Sequence, residues 1–211
     1  MNSKRNQARK LATDAIAANK PLEWFEKLYS LSKSEGAIVP WADLCPNPNL
    51  IQLYDSVKHI PLGKKAIKVG CGLGDDAEWL SSHGFQVTAF DISPTAINEC
   101  HLRFPESSVQ YIEADLFNVP SHWQQAFDIV QESYTLQVLP PELRTQAISC
   151  ICQLVAVGGH ILFVARARDE VDPPGQMPWP LTKQEVNQFL SNGFQEITFK
   201  DYLDKEDPPV R

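Results

Sequence analysis

Val69-Gly70-Cys71-Gly72-Leu73-Gly74-Asp75-Asp76 is the stretch on which the reading of this chain turns. Ahead of it, Ala66-Ile67-Lys68-Val69 reads as a strand, and behind it Asp75 to His83 reads as a helix. Glycines between a strand and a helix let the backbone turn sharply and approach a ligand with no Cβ in the way. A dinucleotide loop spaces its glycines G-x-G-x-x-G, so that a pyrophosphate sits on the helix N-terminus. Here the spacing is G-x-G-x-G, and Asp75 and Asp76 occupy the helix start. Two carboxylates repel a pyrophosphate and suit a ligand that is uncharged or cationic at that spot. They also complement the helix dipole, worth about 0.3–1 kcal/mol each. Taken alone, the loop is a weak signal.

Working outward strengthens it. The second strand, Gln86 to Phe90, runs into Asp91-Ile92, which puts a carboxylate where it can accept both hydroxyls of a ribose. A third strand, Ser108 to Ile112, is followed by Glu113-Ala114-Asp115-Leu116. An acid there can take a hydrogen bond from an adenine amine, with Ile92 and Leu116 as apolar walls around the ring. Open α/β sheets bind ligands at the C-terminal ends of their strands, and three such features fall there in succession. An adenosine whose far end carries an amino group and a sulfonium, S-adenosylmethionine, fits them all.

The remaining chain supplies the rest of an alternating sheet. Ser93-Pro94 opens a helix to about Arg103, with serine as N-cap and proline at the first helical position. Phe127 to Gln131 is a fourth strand, and Pro141 to Val155 a helix with Leu143, Ala147, Ile148, Ile151, Leu154 and Val155 on one face. Gly158-Gly159 is expected to stop that helix before a fifth strand at His160 to Ala165. Thr182 caps a helix to about Ser191, and Phe194 to Phe199 reads as a sixth strand. Upstream, residues 5–33 predict two helices, the second opened by Pro21. Residues 36–48 predict a Pro-rich loop and Asn49 to Lys58 a short helix. Alternation of this kind makes a parallel sheet covered on both faces.

Composition narrows the function. The net charge of −7 argues against nucleic acid, whose binders carry a basic stripe. No apolar run is long enough for a bilayer, and the N-terminus has no apolar core of a secretory signal, so a cytoplasmic address is expected. Cys45, Cys71, Cys100, Cys150 and Cys152 are scattered without zinc spacing and read as reduced thiols, with no metal expected.

These residues together resemble the class I S-adenosylmethionine-dependent methyltransferases, from about Trp24 to Gln195. The looser likeness is to the thiopurine and thiol (halide) methyltransferase group. It is carried by the glycine loop through Phe90-Asp91-Ile92-Ser93, by Phe127-Asp128-Ile129-Val130, by Leu139-Pro140-Pro141-Glu142-Leu143-Arg144, by Pro174-Gly175-Gln176-Met177-Pro178-Trp179-Pro180 and by Val39-Pro40-Trp41-Ala42-Asp43. The resemblance implies an α/β fold, a Rossmann-like three-layer sandwich with a mostly parallel central sheet and an N-terminal helical cap. One methyltransferase domain would fill residues 1–211, with the cap over 1–60 and the core over 61–211.

It further implies that S-adenosyl-L-methionine lies on Gly70, Cys71, Gly72, Gly74 and Asp75, with Trp24 and Trp41 covering it. Asp91 and Ile92 would hold the ribose side, and Asp115 and Leu116 the adenine. Glu132, Ser133 and Tyr134 would flank the methionine part and the transferring methyl, with Trp41 and Tyr134 also touching the acceptor. The implied partner is a small-molecule methyl acceptor, a thiol among the candidates, and neither nucleic acid nor membrane. Tyr134, Gln137, His122 and Arg166 are the pocket-lining candidates, and no residue is singled out as a general base.

Three departures from the class stand out. Lys68 occupies the place of a common acidic residue, leaving the amino-group anchor to Asp75 or Asp76. Leu28 replaces a second tryptophan of the subgroup. The class sheet usually ends with an antiparallel seventh strand, whereas after Asp207-Pro208-Pro209 only Val210 and Arg211 follow, implying a longer natural chain or an unusual sheet edge. Two other readings stay open: a non-catalytic S-adenosylmethionine-binding regulator, and a nicotinamide-dependent oxidoreductase, which the glycine spacing and paired aspartates disfavour.

Overall fold

Strand alternation sorts the side chains of this fold into two cores, one on each face of a single sheet. The computed structural model describes residues 2–35, 39–55, 64–204 and 210–211. Helices α1 (Asn2–Ala17), α2 (Glu23–Glu35) and α3 (Pro48–Tyr54) precede the sheet. There follow β1 (Lys65–Val69), α4 (Asp75–Ser82), β2 (Gln86–Asp91), α5 (Pro94–Arg103), β3 (Gln110–Glu113) and β4 (Phe127–Ser133). Then come α6 (Pro141–Leu154), β5 (Val155–Val164), α7 (Lys183–Val186) and α8 (Gln188–Ser191). The strands run in the order β3-β2-β1-β4-β5, every pairing parallel. Their C-terminal ends therefore lie along one edge, where the loops after β1, β2, β3 and β4 meet.

Successive residues of a strand point to opposite faces. Ile67 and Val69 of β1 accordingly join Trp24, Phe25 and Leu28 of α2 and Ile148 and Ile151 of α6 in one core. Ala66 joins Leu50 of α3, Leu80 of α4 and Ile97 of α5 in the other. Helices thus cover both faces, as a parallel sheet requires. The helix starts follow their cap residues. Ser93 Oγ accepts the Ala96 N–H at 3.1 Å. Thr182 and Glu185 cap each other reciprocally at the start of α7. No described helix is long and apolar enough to cross a membrane.

The chain departs from its sequence-based reading in four places. Pro21 lies in the turn before α2, which begins at Glu23. The helix expected from Thr182 to Ser191 is two short ones, α7 and α8, parted by a turn at Asn187, while the end expected at Lys58 for α3 lies outside the described residues. Helix α6 ends at Leu154, and β5 starts at once with Val155 opposite Phe127. The next pair is His160 opposite Ile129, so β5 carries three extra residues there, and Gly158 takes its positive φ of 76° inside this irregularity. The fourth departure is the expected sixth strand. Residues 194–199 are not a strand, and Ile197 and Phe199 are 67% and 50% exposed. Alternating apolar residues make a strand only beside a ladder partner, and among the described residues no strand lies next to β5 on its outer side.

Candidate functional site

The loops at the strand ends enclose a cavity of about 1020 Å³. Its floor is the glycine loop. Gly70 and Gly74 have φ of 58° and 92°, conformations that L side chains rarely adopt. A Cβ on Gly70 would lie 2.5 Å from Thr135 Oγ1, and one on Gly74 would lie 2.6 Å from the Tyr111 hydroxyl. The turn therefore needs glycine for shape and for space. The Cys71 N–H donates to Phe90 O at 2.9 Å, pinning the loop to the end of β2.

Asp91, the last residue of β2, is buried and lines the cavity. Its Oδ2 accepts the Gly72 N–H at 2.9 Å and its Oδ1 the Ser93 N–H at 3.0 Å. Burial raises its carboxyl above the ordinary range, and these two N–H groups with the Lys68 charge pull it back down. The Ile92 N–H pulls in the same direction, and the carboxylate keeps lone-pair capacity for a ligand hydroxyl. Ile92, Leu116 and Asp115 line the same side, and Asp115 Oδ1 caps the next turn by accepting the Phe117 N–H at 2.9 Å. Phe117, Ala114 and Val138 extend the apolar wall.

Across the cavity lie Ser133, Tyr134, Thr135, Gln137 and Arg166. Tyr134 has a φ of 66°, a strained backbone for a residue other than glycine. Its hydroxyl accepts from Asn49 Nδ2 at 3.2 Å, and Asn49 Oδ1 accepts from the Tyr202 hydroxyl at 2.5 Å. Ser133 Oγ accepts from Gln131 Nε2 at 2.5 Å. Gln137 Oε1 takes the Arg166 N–H at 2.7 Å, tying β4's exit loop to β5's. Trp41, half-buried, lines the mouth and donates its Nε1–H to the Tyr29 hydroxyl at 3.0 Å.

Of the residues the sequence nominates, Trp41, Gly70, Cys71, Gly72, Asp75, Asp91, Ile92, Asp115, Leu116, Ser133 and Tyr134 line this cavity. Trp24 does not. At 1% exposure it stacks on Phe25 with ring centroids 4.0 Å apart and meets Trp41 edge-on at 5.9 Å, so it backs the wall instead of forming it. Phe25 and Tyr29 of the same helix line the cavity in its place. Gly74 does not line it either: it is the left-handed N-cap of α4, where an added Cβ would meet Tyr111 and Cys100.

Asp75 reaches the cavity, but Arg103 holds both its oxygens, at 2.7 and 2.8 Å. Of the two aspartates expected to anchor an amino group, Asp75 is thus engaged by Arg103, and Asp76 also lines the cavity. Glu132 lies behind the cavity, wholly buried, its Oε1 accepting the N–H groups of Thr135 and Leu136. Burial pushes its carboxyl up to about 7 against the opposing pull of Lys68 and those N–H groups. His122 is exposed against Trp123 and away from the cavity, because it falls on the short turn Ser121–Trp123 before β4.

Sequence reasoning missed Asn49, Tyr202 and Tyr29. Asn49 and Tyr202 are brought together over 153 positions, which no local pattern announces. Tyr29 sits four residues after Phe25 on α2, a helical spacing that would have placed it with the cavity wall.

The family described as methyltransferase domain matches residues 66–159, the span holding the glycine loop, Asp91, Asp115 and Glu132. The chain is 25% identical over 181 residues to a thiopurine S-methyltransferase of Vibrio atlanticus (strain LGP32), covering 78% of this chain and 81% of that one. It is 30% identical over 103 residues to a ubiquinone biosynthesis O-methyltransferase of Photorhabdus laumondii, covering 48% of this chain and 42% of that relative's length. Among solved structures, the N-methyltransferase NodS of Bradyrhizobium japonicum, in complex with S-adenosylhomocysteine, superposes with a TM-score of 0.54 and 24% identity. That match covers 68% of this chain and 74% of the other, and shows a shared fold.

Proposed function

The chain is an S-adenosylmethionine-dependent methyltransferase, and from that premise we propose that it transfers the methyl group to a small-molecule nucleophile, a thiol first, by direct displacement. One observation carries the proposal. The cavity is continuous from Asp91, Ile92 and Leu116 on the nucleoside side to Tyr134, Asn49 and Arg166 on the other, so a cofactor and a second small molecule share one space. At about 1020 Å³ it stands at the upper end of ordinary small-molecule sites, roughly 300–1,000 Å³. Helices α1–α3 act as a cap on a single domain, with Trp41 at the mouth. The Vibrio relative, matched over most of both chains, bears an S-methyltransferase name and supports a thiol. O- and N-methyltransferases among the other relatives make oxygen and nitrogen acceptors its competitors. The acidic net charge supports a free small molecule over nucleic acid.

When bound, the sulfonium supplies an already activated methyl, so neither a covalent intermediate nor a metal is needed. The protein's work is alignment and exclusion of water. Asp91 would take the ribose hydroxyls, and Ile92 and Leu116 would wall the base. Tyr134, with its hydroxyl fixed by Asn49, presents a ring and a hydroxyl to the acceptor. Trp41 and the buried Met177 line the cavity, the latter held where its carbonyl accepts the Arg9 Nε–H at 2.7 Å.

A screen with methyl-labelled cofactor against thiols, halides, amines and carboxylates tests this reading. Transfer to a thiol is the expected result. Transfer only to an amine or an oxygen acceptor would replace the thiol, and transfer to none would remove the small-molecule acceptor.

A further inference from the structure

Lys68 lines the cavity two residues before Gly70, yet the mechanism above gives it nothing to do. It is 3% exposed. Its ammonium has three N–H donors, and one of them goes to Val69 O at 3.1 Å. Its ion-pair partner among the described residues, Asp76 Oδ2, stands 3.7 Å away, beyond hydrogen-bond length. A buried ammonium is costly unless it is paired and hydrogen-bonded. Glu132 and Asp91 also attract this one, but among the described residues Val69 O is its one hydrogen-bond acceptor, and it stands beside an open cavity. Asp76 also lines the cavity, and its Oδ1 already takes the Asn47 N–H at 2.8 Å. Arg103 has removed the neighbouring Asp75 from competition.

Charge decides which end of a zwitterion fits here. An ammonium at position 68 repels a ligand ammonium and attracts a ligand carboxylate, the more strongly because the site is buried. The two charges of an α-amino acid share one carbon. Opposite protein charges 3.7 Å apart therefore match them side by side, plus against minus. Resting on the methyltransferase reading, we propose that Lys68 receives the carboxylate, and Asp76 the ammonium, of the amino-acid end of S-adenosylmethionine. The position where this class commonly carries an acid would then be charge-reversed, and the amino-acid end turned to match.

Calorimetric titration of the full chain with three ligands tests the clamp. They are S-adenosylhomocysteine, its analogue with the carboxylate replaced by hydrogen, and its analogue with the ammonium replaced by hydrogen. The parent protein should bind the carboxylate-free analogue roughly ten- to a hundredfold more weakly than S-adenosylhomocysteine, the range for losing a charge-assisted hydrogen bond. Lys68→Met should erase that difference and weaken the ammonium-free analogue. Equal weakening of all three ligands by Lys68→Met would make Lys68 a structural residue and overturn the proposal. Should Lys68→Met not fold, the parent decides: carboxylate-free binding as tight as that of S-adenosylhomocysteine overturns the clamp, and the expected loss upholds it. Failure of all three ligands to bind would instead overturn the methyltransferase reading, and the clamp with it.

Discussion

Gly74→Ala should lower the stability of the chain by about 2–5 kcal/mol, more than the same change at any exposed glycine. Two costs add. Gly74 has a φ of 92°, where an L residue loses about 1–2 kcal/mol. Its new Cβ would also lie 2.6 Å from the Tyr111 hydroxyl and 3.2 Å from Cys100 Sγ. Neither neighbour gives easily: the Tyr111 hydroxyl donates to Glu78 Oε1 at 2.7 Å and Cys100 is buried. Overpacking of a filled site costs about 1–3 kcal/mol. Gly193 supplies the control, with the same φ of 92° and nothing within 4 Å of where its Cβ would stand. Denaturant unfolding of the two alanine variants separates the terms. A similar loss at both would show that the packing under the glycine loop yields, and that the loop is not held as described.

Glu132 should set the sign of a pH effect. Its carboxyl is raised by burial from 4.5 to about 7 in the folded protein. Between those values the folded chain holds a proton that the unfolded chain has released, so stability from this group falls as pH rises through about 4.5 to 7. Below that window both states are protonated and the penalty is absent, and above it the penalty is complete. Glu132→Gln keeps an oxygen for the Thr135 and Leu136 N–H groups and cannot ionise. Its stability relative to the parent should therefore improve by about 3 kcal/mol from pH 4 to pH 8. Taking the difference between the two proteins cancels the titrating groups that do not interact with Glu132, which leaves Lys68 as the neighbour coupled to it. An unchanged difference across that range would mean that Glu132 titrates alike in the folded and unfolded chain, its burial fully offset by Lys68 and the two N–H groups.

The glycine loop was legible because a turn of this shape excludes other residues, and Asp91 because a strand end fixes where its carboxylate points. Trp24 escapes a sequence reading for a physical reason. An aromatic residue on an amphipathic helix has the same sequence signature whether its face meets a ligand or a core, and only its contacts with Phe25 and Trp41 distinguish them. The segment 194–199 has strand-like alternation, but a ladder partner cannot be read from the segment itself. Asn49 and Tyr202 meet through the fold alone. Lys68 was visible as a departure from the class. Its meaning depends on Asp76, one helix start away in sequence but the facing charge in space.

The proposed site turns on Asp91 as the acceptor for a ribose beside the glycine loop, and calorimetric binding of S-adenosylhomocysteine by the parent and by Asp91→Asn tests that most directly. The parent should bind it in preference to NAD. Asp91→Asn should bind it roughly ten- to a hundredfold more weakly, the cost of replacing a charged hydrogen-bond acceptor in a site. Unchanged affinity in Asp91→Asn, or a parent that binds NAD and not S-adenosylhomocysteine, would contradict the assignment.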